Sequence, residues 1–176
     1  MTVPLIKVKP FLRLFITCFF MLVFRQAFSQ QTAIDSLLRL FPQTENRKDR
    51  CVLLTELSSA YRIVDPKKGI YFGVLAQKNA QDLDWKKGMG EAMFVLASNY
   101  QLTAEYPKSL DLFFGALKIA ESLEDDKLMA KSLSEIAIVY RKTEEYEKTL
   151  LYAERSLKIL KDQFGKRICN RAGSKL

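Results

Sequence analysis

A tyrosine closing a run of small and aliphatic residues recurs three times in this chain, at Tyr61, Tyr100 and Tyr140, 39 and 40 residues apart. The runs are Leu57-Ser58-Ser59-Ala60-Tyr61, Phe94-Val95-Leu96-Ala97-Ser98-Asn99-Tyr100 and Ile136-Ala137-Ile138-Val139-Tyr140. After a short break each is answered by a second run: Pro66 to Ile70 with Ala76, Tyr106 to Leu110 with Phe113 to Leu117, and Tyr146 to Leu150 with Ser156-Leu157. Apolar residues at helical spacing in both runs make each unit a helical hairpin. A fixed period in this range marks a repeat array, in which a unit buries its apolar face only against its neighbours. The fold expected is therefore all-α: a right-handed solenoid of antiparallel hairpins, about three repeats plus an opening helix and a partial fourth.

Charge narrows the partners. The net charge of +8 is carried at the ends. Lys7, Lys9, Arg13 and Arg25 precede residue 30 without an acid, and Lys166, Arg167, Arg171 and Lys175 close the chain. Residues 30–165 are balanced, which argues against a broad basic face for nucleic acid. Hydrophobic content of 48% with seven glycines and five prolines fits a packed protein rather than a disordered one.

The first 29 residues read as a signal peptide. Lys7, Lys9 and Arg13 form a basic start, Leu14 to Phe24 an apolar run of eleven residues, and Ala27-Phe28-Ser29 a small-residue junction before Gln30. The run is short for a spanning helix, which takes about 20 apolar residues. An uncleaved signal anchor is the alternative, and the one route to a membrane. Cys18 lies inside the apolar run and not at the junction, which disfavours a lipoprotein. The chain is expected to be exported, periplasmic or secreted.

Cys51 and Cys169 then remain. They fall in the first repeat and in a would-be fourth, so stacked helices about 8–10 Å apart hold them well beyond disulfide reach. No intrachain bridge is expected. Cys51 reads as a small buried residue; Cys169 is the thiol open to an intermolecular bridge.

The remaining divisions follow from start and stop signals. Residues 30–48 hold an opening helix over 32–41, capped by Thr32 with Asp35 and stopped by Pro42, then a polar linker from Gln43 to Asp49. Three repeats occupy 49–85, 86–125 and 126–165. Asp65-Pro66 starts the second helix of the first repeat, and Asp84, Asp125 and Asp126 stand near the starts of the next two. Gly69, in register with Ser109 and Thr149, calls for close helix contact. Lys87-Gly88-Met89 and Lys127-Leu128-Met129 return as Arg167-Ile168-Cys169, so 166–176 reads as a basic tail opening an incomplete fourth repeat. An array end without a polar cap exposes its apolar face; self-association through it, or a longer natural chain, is implied.

These residues resemble tetratricopeptide-repeat proteins in a long variant with a period near 40. Leu96, Ala97, Tyr100, Tyr106, Ser109, Phe113 and Ala116 carry the pattern best. The first repeat departs from it, with a turn one residue shorter, Pro66 in place of a tyrosine and Gly73 where the second has Phe113. The order of leader, short helix and 40-residue repeats also looks like the exported sensory half of Bacteroidetes-type signalling proteins. The resemblance implies a concave groove that binds a protein or peptide. It implies groove positions at Thr55, Ser59 and Arg62, at Glu91, Phe94, Ser98 and Gln101, and at Lys131, Ser134, Ile138 and Arg141. Arg62, Gln101 and Arg141 would form a ladder for a carboxylate. The lysine and asparagine clamp of the chaperone-tail binders has no counterpart at these places. The alternative function implied is a truncated sensory input region of a membrane-bound signal-transduction protein of the histidine-kinase type.

Enzymatic chemistry is not expected. The chain has no histidine, no Cys-x-x-Cys pair and no Gly-rich phosphate loop. Glu124-Asp125-Asp126 and Glu144-Glu145 fall at inter-helix turns, where acids serve helix starts rather than a metal. No cofactor and no metal site is expected. The recurring Tyr61, Tyr100, Tyr106, Phe113 and Tyr140 read as packing residues, and Phe94 as the aromatic on the groove side.

Overall fold

The structure, a computed structural model, describes the backbone of residues 31–173 and the side chains of 31–163. The leader 1–29, with Cys18, and the side chain of Cys169 lie outside the described residues. Helix α1 spans 31–40 and leads through a 3-10 turn, Phe41–Gln43, to six further helices. These are α2 (Arg47–Val64), α3 (Pro66–Asp82), α4 (Lys86–Leu102), α5 (Tyr106–Ser122), α6 (Asp126–Lys142) and α7 (Tyr146–Gly173). Each packs on the next, and α2, α4 and α6 also touch across one side. This is the hairpin solenoid the period implies, with no strand among the described residues.

From α3 to α6 every helix has 17 residues and every turn three, so the chain advances in steps of twenty. Asp84, Ala104, Glu124 and Glu144 sit at φ between 47° and 64°, one in each turn. The next residue's N–H reaches back five residues, as in Glu105 N to Tyr100 O and Glu145 N to Tyr140 O, both 2.9 Å. This closes the preceding helix by a left-handed residue and satisfies its last carbonyls. The first hairpin has no such residue: Val64 and Pro66 are separated by Asp65 alone, whose carboxylate caps α3 at Lys68 N.

A second device repeats with the hairpins. Lys68, Lys108 and Lys148 stand over the rings of Tyr61, Tyr100 and Tyr140 at 5.5, 5.2 and 4.9 Å. Each lysine also meets the carboxylate of the turn, Asp65, Glu105 or Glu145, at 2.6 Å for Lys108 and Glu105. The turn residue, the last tyrosine of one helix and the first turn of the next are thereby tied together. The lysine hydrogen bonds hold the Glu105 and Glu145 carboxyls below the usual carboxylate range.

Burial follows the repeat. Ala97, Phe113, Leu117, Leu133, Ile136 and Val139 form the largest cluster, between the second and third hairpins. Leu54, Ala76 and Ala92 join the first two, and Ile34 of α1 closes the front end on Leu57 and Tyr61. Where the second repeat seats Phe113, the first has Gly73, and Ser58 and Leu96 occupy the space, within 3.1 Å of where a Cβ would stand. Gly69 meets the Asn99 side chain of the next repeat, which fills the place of its Cβ. Asn99 Nδ2 donates to Ser58 O and Oγ, and Ser58 Oγ donates to Gly69 O at 2.7 Å. Cys51 is buried with its thiol on Ala76 O. Burial, and then the nearby Glu91 carboxylate, push that thiol up from its ordinary value, which leaves it protonated and inert.

Local boundaries depart from expectation in four places. Residue 31 is already helical, so Thr32 lies inside α1 and is not its cap. The linker from Gln43 is shorter than expected, because Asn46 caps α2 at Lys48 and Asp49. Asp84 takes the left-handed turn position and α4 starts beyond it without a side-chain cap. The tail expected to open a fourth repeat continues α7 instead, to Gly173. Gln163-Phe164-Gly165-Lys166 carries none of the acids that occupy the other turns.

Two tests follow from this packing. Gly69→Ala is expected to cost about 1–3 kcal/mol in urea unfolding through overpacking, and Asn99→Ala in the same chain to recover part of it; independent, additive losses would refute the contact. Because the folded Glu145 carboxyl is held low, its contribution is present above the unfolded carboxylate range and disappears as pH falls through the folded value. The gap in melting temperature between the wild type and Glu145→Gln is thus expected at pH 7 and expected to shrink as the pH is lowered through and below the carboxylate range.

Candidate functional site

The side on which α2, α4 and α6 meet carries three adjoining hollows of about 330, 370 and 330 Å³. The first lies among Thr55, Ser59, Glu91 and Phe94, with Lys87 and Lys127 at its edge. The second shares Phe94, Lys127 and Lys131 with it and reaches Ser134, Glu135 and Leu160. The third shares Ser134 and Leu160 and runs between α6 and α7 past Ala137, Ile138, Arg141, Ala153 and Leu157. Together they form one channel along the first helices of the repeats, ending on α7.

Most of the expected groove residues meet here. Thr55, Ser59, Glu91, Phe94, Lys131, Ser134, Ile138 and Arg141 all line the channel. Their order follows from the repeat: Thr55, Phe94 and Ser134 occupy one register position of successive helices, and a stripe at that position faces one side. Phe94 is half-buried. Its ring packs edge-on against Phe113, with centroids 5.5 Å apart, and the Lys131 ammonium stands 5.9 Å above it.

Three expected positions fall elsewhere. Ser98 is buried at 3% exposure and its hydroxyl turns back to Phe94 O. Gln101 is buried at 6%, its amide donating to Glu135 at 3.2 Å. Both lie on the face of α4 that α6 covers. Arg62 lines none of the three hollows. The ladder of Arg62, Gln101 and Arg141 therefore does not exist as a recognition surface: its middle rung is spent holding α4 to α6. Ile138 and Arg141, one repeat later, are open because no described helix covers them.

Lys87, Lys127 and Leu160 were not foreseen as groove residues. The signal for the two lysines was present, since Lys87-Gly88-Met89 and Lys127-Leu128-Met129 repeat at 40 residues. Lys87, Lys127 and Lys131 are exposed and make no ion pair among the described residues. Of the facing acids, Asp125 caps α6 at Leu128 N and Glu135 is bound by Gln101, which leaves Glu91. The lining thus sets Lys87, Lys127, Lys131 and Arg141 against Glu91, Asp125 and Glu135, a small positive excess around the Phe94 ring. The acid pairs at the turns are structural: Glu124 and Glu144 take left-handed positions, and Glu145 binds Thr143 and Lys148. Among the described residues no three acidic, cysteine or histidine side chains are grouped to hold a metal, and no helix is long and apolar enough to cross a membrane.

No family model matches the sequence, and neither does any curated protein. Solved structures do match its fold. Aspartyl phosphate phosphatase F from Bacillus subtilis superposes with a TM-score of 0.67 at 15% identity, over 77% of this chain and 39% of that one. The TPR domain of Arabidopsis FLU gives 0.62 at 18% identity, over 66% of this chain and 99% of the domain. BtubC from P. vanneervenii gives 0.62 at 17%, over 79% and 56%. The fold is TPR-like, a helical solenoid. The chain spans about two fifths of the length of the phosphatase.

Phe94→Ala removes a half-buried ring whose loss the exposed side of the channel tolerates. It is expected to lower stability by less than the 3–5 kcal/mol of a fully buried phenylalanine and to leave the helical circular dichroism intact. An unfolded variant would make Phe94 a core residue only.

Proposed function

We propose that this chain is an exported, non-enzymatic scaffold that binds a protein or peptide segment along the channel of α2, α4, α6 and α7. The observation that carries the reading is the continuity of the three hollows, joined at Phe94 and Lys131 and again at Ser134 and Leu160. A long, open, mixed apolar and cationic trough suits an extended or helical segment better than a small molecule, which takes an enclosed pocket. Export rests on the basic, apolar and small-residue order of 1–29. Self-association through the exposed face of α7 belongs to the same reading.

The sensory-input alternative is favoured by the order of leader, opening helix and 40-residue repeats. A reading frame running on into a membrane helix and a kinase would put it first.

A peptide array probed with the purified chain tests the scaffold. Bound sequences are expected to lose about tenfold in affinity or more with Phe94→Ala, as for an aromatic anchor, and to be less affected by Gln101→Ala. Equal binding by Phe94→Ala and the wild type would remove the channel from the account. Mature protein beginning at Gln30, read by N-terminal sequencing, is the expected mark of export; an intact Met1 in the cytoplasm would end that part.

A further inference from the structure

The hollow between α6 and α7 can be matched to its occupant by the repeat itself. Moved back 40 residues, Ile138, Ala153, Leu157 and Leu160 become Ser98, Phe113, Leu117 and Ala120. All four of those are buried, at 0–5% exposure, beneath α6, which packs on both α4 and α5. What the third repeat leaves open is therefore a seat for one helix.

We propose that the seat is filled by a second copy of this chain, as a two-fold dimer in which the two α7 helices pair antiparallel. This rests on the self-association reading and specifies its surface and register. α7 carries an apolar stripe open to solvent along its length: Tyr146, Leu150, Leu157 and Leu160 are 66, 61, 50 and 45% exposed. With Ala153 they are spaced by 4, 3, 4 and 3 residues, the seam on which two helices wind together. At the front, Ile34 of α1 is fully buried on Leu57 and Tyr61, so the surface a head-to-tail partner's α7 would take is already occupied by a helix of the same chain, although Ile63, Val64, Tyr71 and Val74 stay exposed elsewhere on α2 and α3. The pairing is therefore between like surfaces, which closes on a two-fold axis.

Charge sets the direction. Flanking the seam on one side are Glu147, Glu154 and Lys161, all exposed. Setting Leu150 against the partner's Leu160, and Ala153 against the partner's Leu157, brings Glu147 beside the partner's Lys161, twice by symmetry. Neither residue has an ion pair within its own chain among the described residues. Fourteen residues of helix, about 21 Å, keep them from reaching each other in one copy. Glu154 meets its own copy at the axis, a like-charge contact that works against the pair.

The test is light scattering after size exclusion of the full chain with reductant, over a range of concentrations. A dimer is expected, and Leu157→Glu is expected to give a monomer with unchanged circular dichroism. Glu147→Lys and Lys161→Glu are each expected to weaken the dimer several-fold, as exposed ion pairs do, and together in one chain to restore it. Glu154→Gln is expected to tighten it. A monomer at every concentration overturns both the dimer and the self-association reading. A dimer that survives Leu157→Glu leaves self-association standing and overturns the α7 seat. Single charge reversals that are not restored in combination overturn the antiparallel register, and should Leu157→Glu fail to fold, this charge series still decides.

Discussion

The solenoid depends on a turn that most side chains resist. Asp84, Ala104, Glu124 and Glu144 each hold a left-handed backbone at twenty-residue intervals, a conformation that costs an ordinary L-residue roughly 1–2 kcal/mol and that glycine usually takes at a helix end. The return is geometric: the left-handed residue lets the next N–H bond five residues back, so the helix stops at one length and the following helix leaves at one angle. Four identical stops turn a run of helices into a stack with a constant step. The lysine that spans tyrosine ring and turn carboxylate adds local contacts that hold the same turn in the second and third hairpins.

The interface between repeats is tuned by moving small groups from one helix to the other. In the first hairpin Ser58 of α2 donates to Gly69 O of α3; in the second, Ser109 of α5 donates to Ala97 O of α4. Ser58 and Ala97 are in register, as are Gly69 and Ser109, so the hydroxyl has changed sides while the approach of the two helices is kept. Asn99 then fills what Gly69 leaves empty and links the first repeat to the second. Residues that a single repeat would not require are thus explained by the neighbour they face.

The period, the hairpins and the burial of Cys51, Phe113 and the anchor tyrosines were legible because apolar spacing reports which face is covered. The left-handed turns were not, since Ala104 and Glu124 carry no glycine signal and the bond that closes each turn is made by backbone groups, whatever the side chain. The groove was legible in part. Thr55, Phe94 and Ser134 repeat in register and line the channel, but at the register of Ser98 the outer members Ser59 and Ile138 line it while Ser98 itself is buried, and Gln101 holds Glu135 of α6. A helix has two faces next to each other, and the sequence period marks both. Only the position of the following helix separates a residue that recognises a ligand from one that recognises the next repeat.

That same ambiguity explains the asymmetry of the molecule. Ser98 turns back on its own helix and Gln101 holds Glu135 of α6, whereas Ile138 and Arg141, at the same register one repeat on, line the hollow beside Leu157 and Leu160. At the front, α1 and the turn after it supply three apolar residues, Ile34 and Leu37 from the helix and Phe41 from the turn, to a surface of α2 and α3. Burying a leucine-sized side chain is worth about 1.5–3 kcal/mol, so the front end gains several kcal/mol that the α7 end forgoes among the described residues. A helix laid on α7 would recover an amount of that order, and its apolar pattern would have to match the one α6 presents to the second repeat. The channel and the α7 seat are therefore one continuous surface with two kinds of demand, a cationic aromatic trough at Phe94 and an apolar helix seat at Leu157, meeting at Leu160.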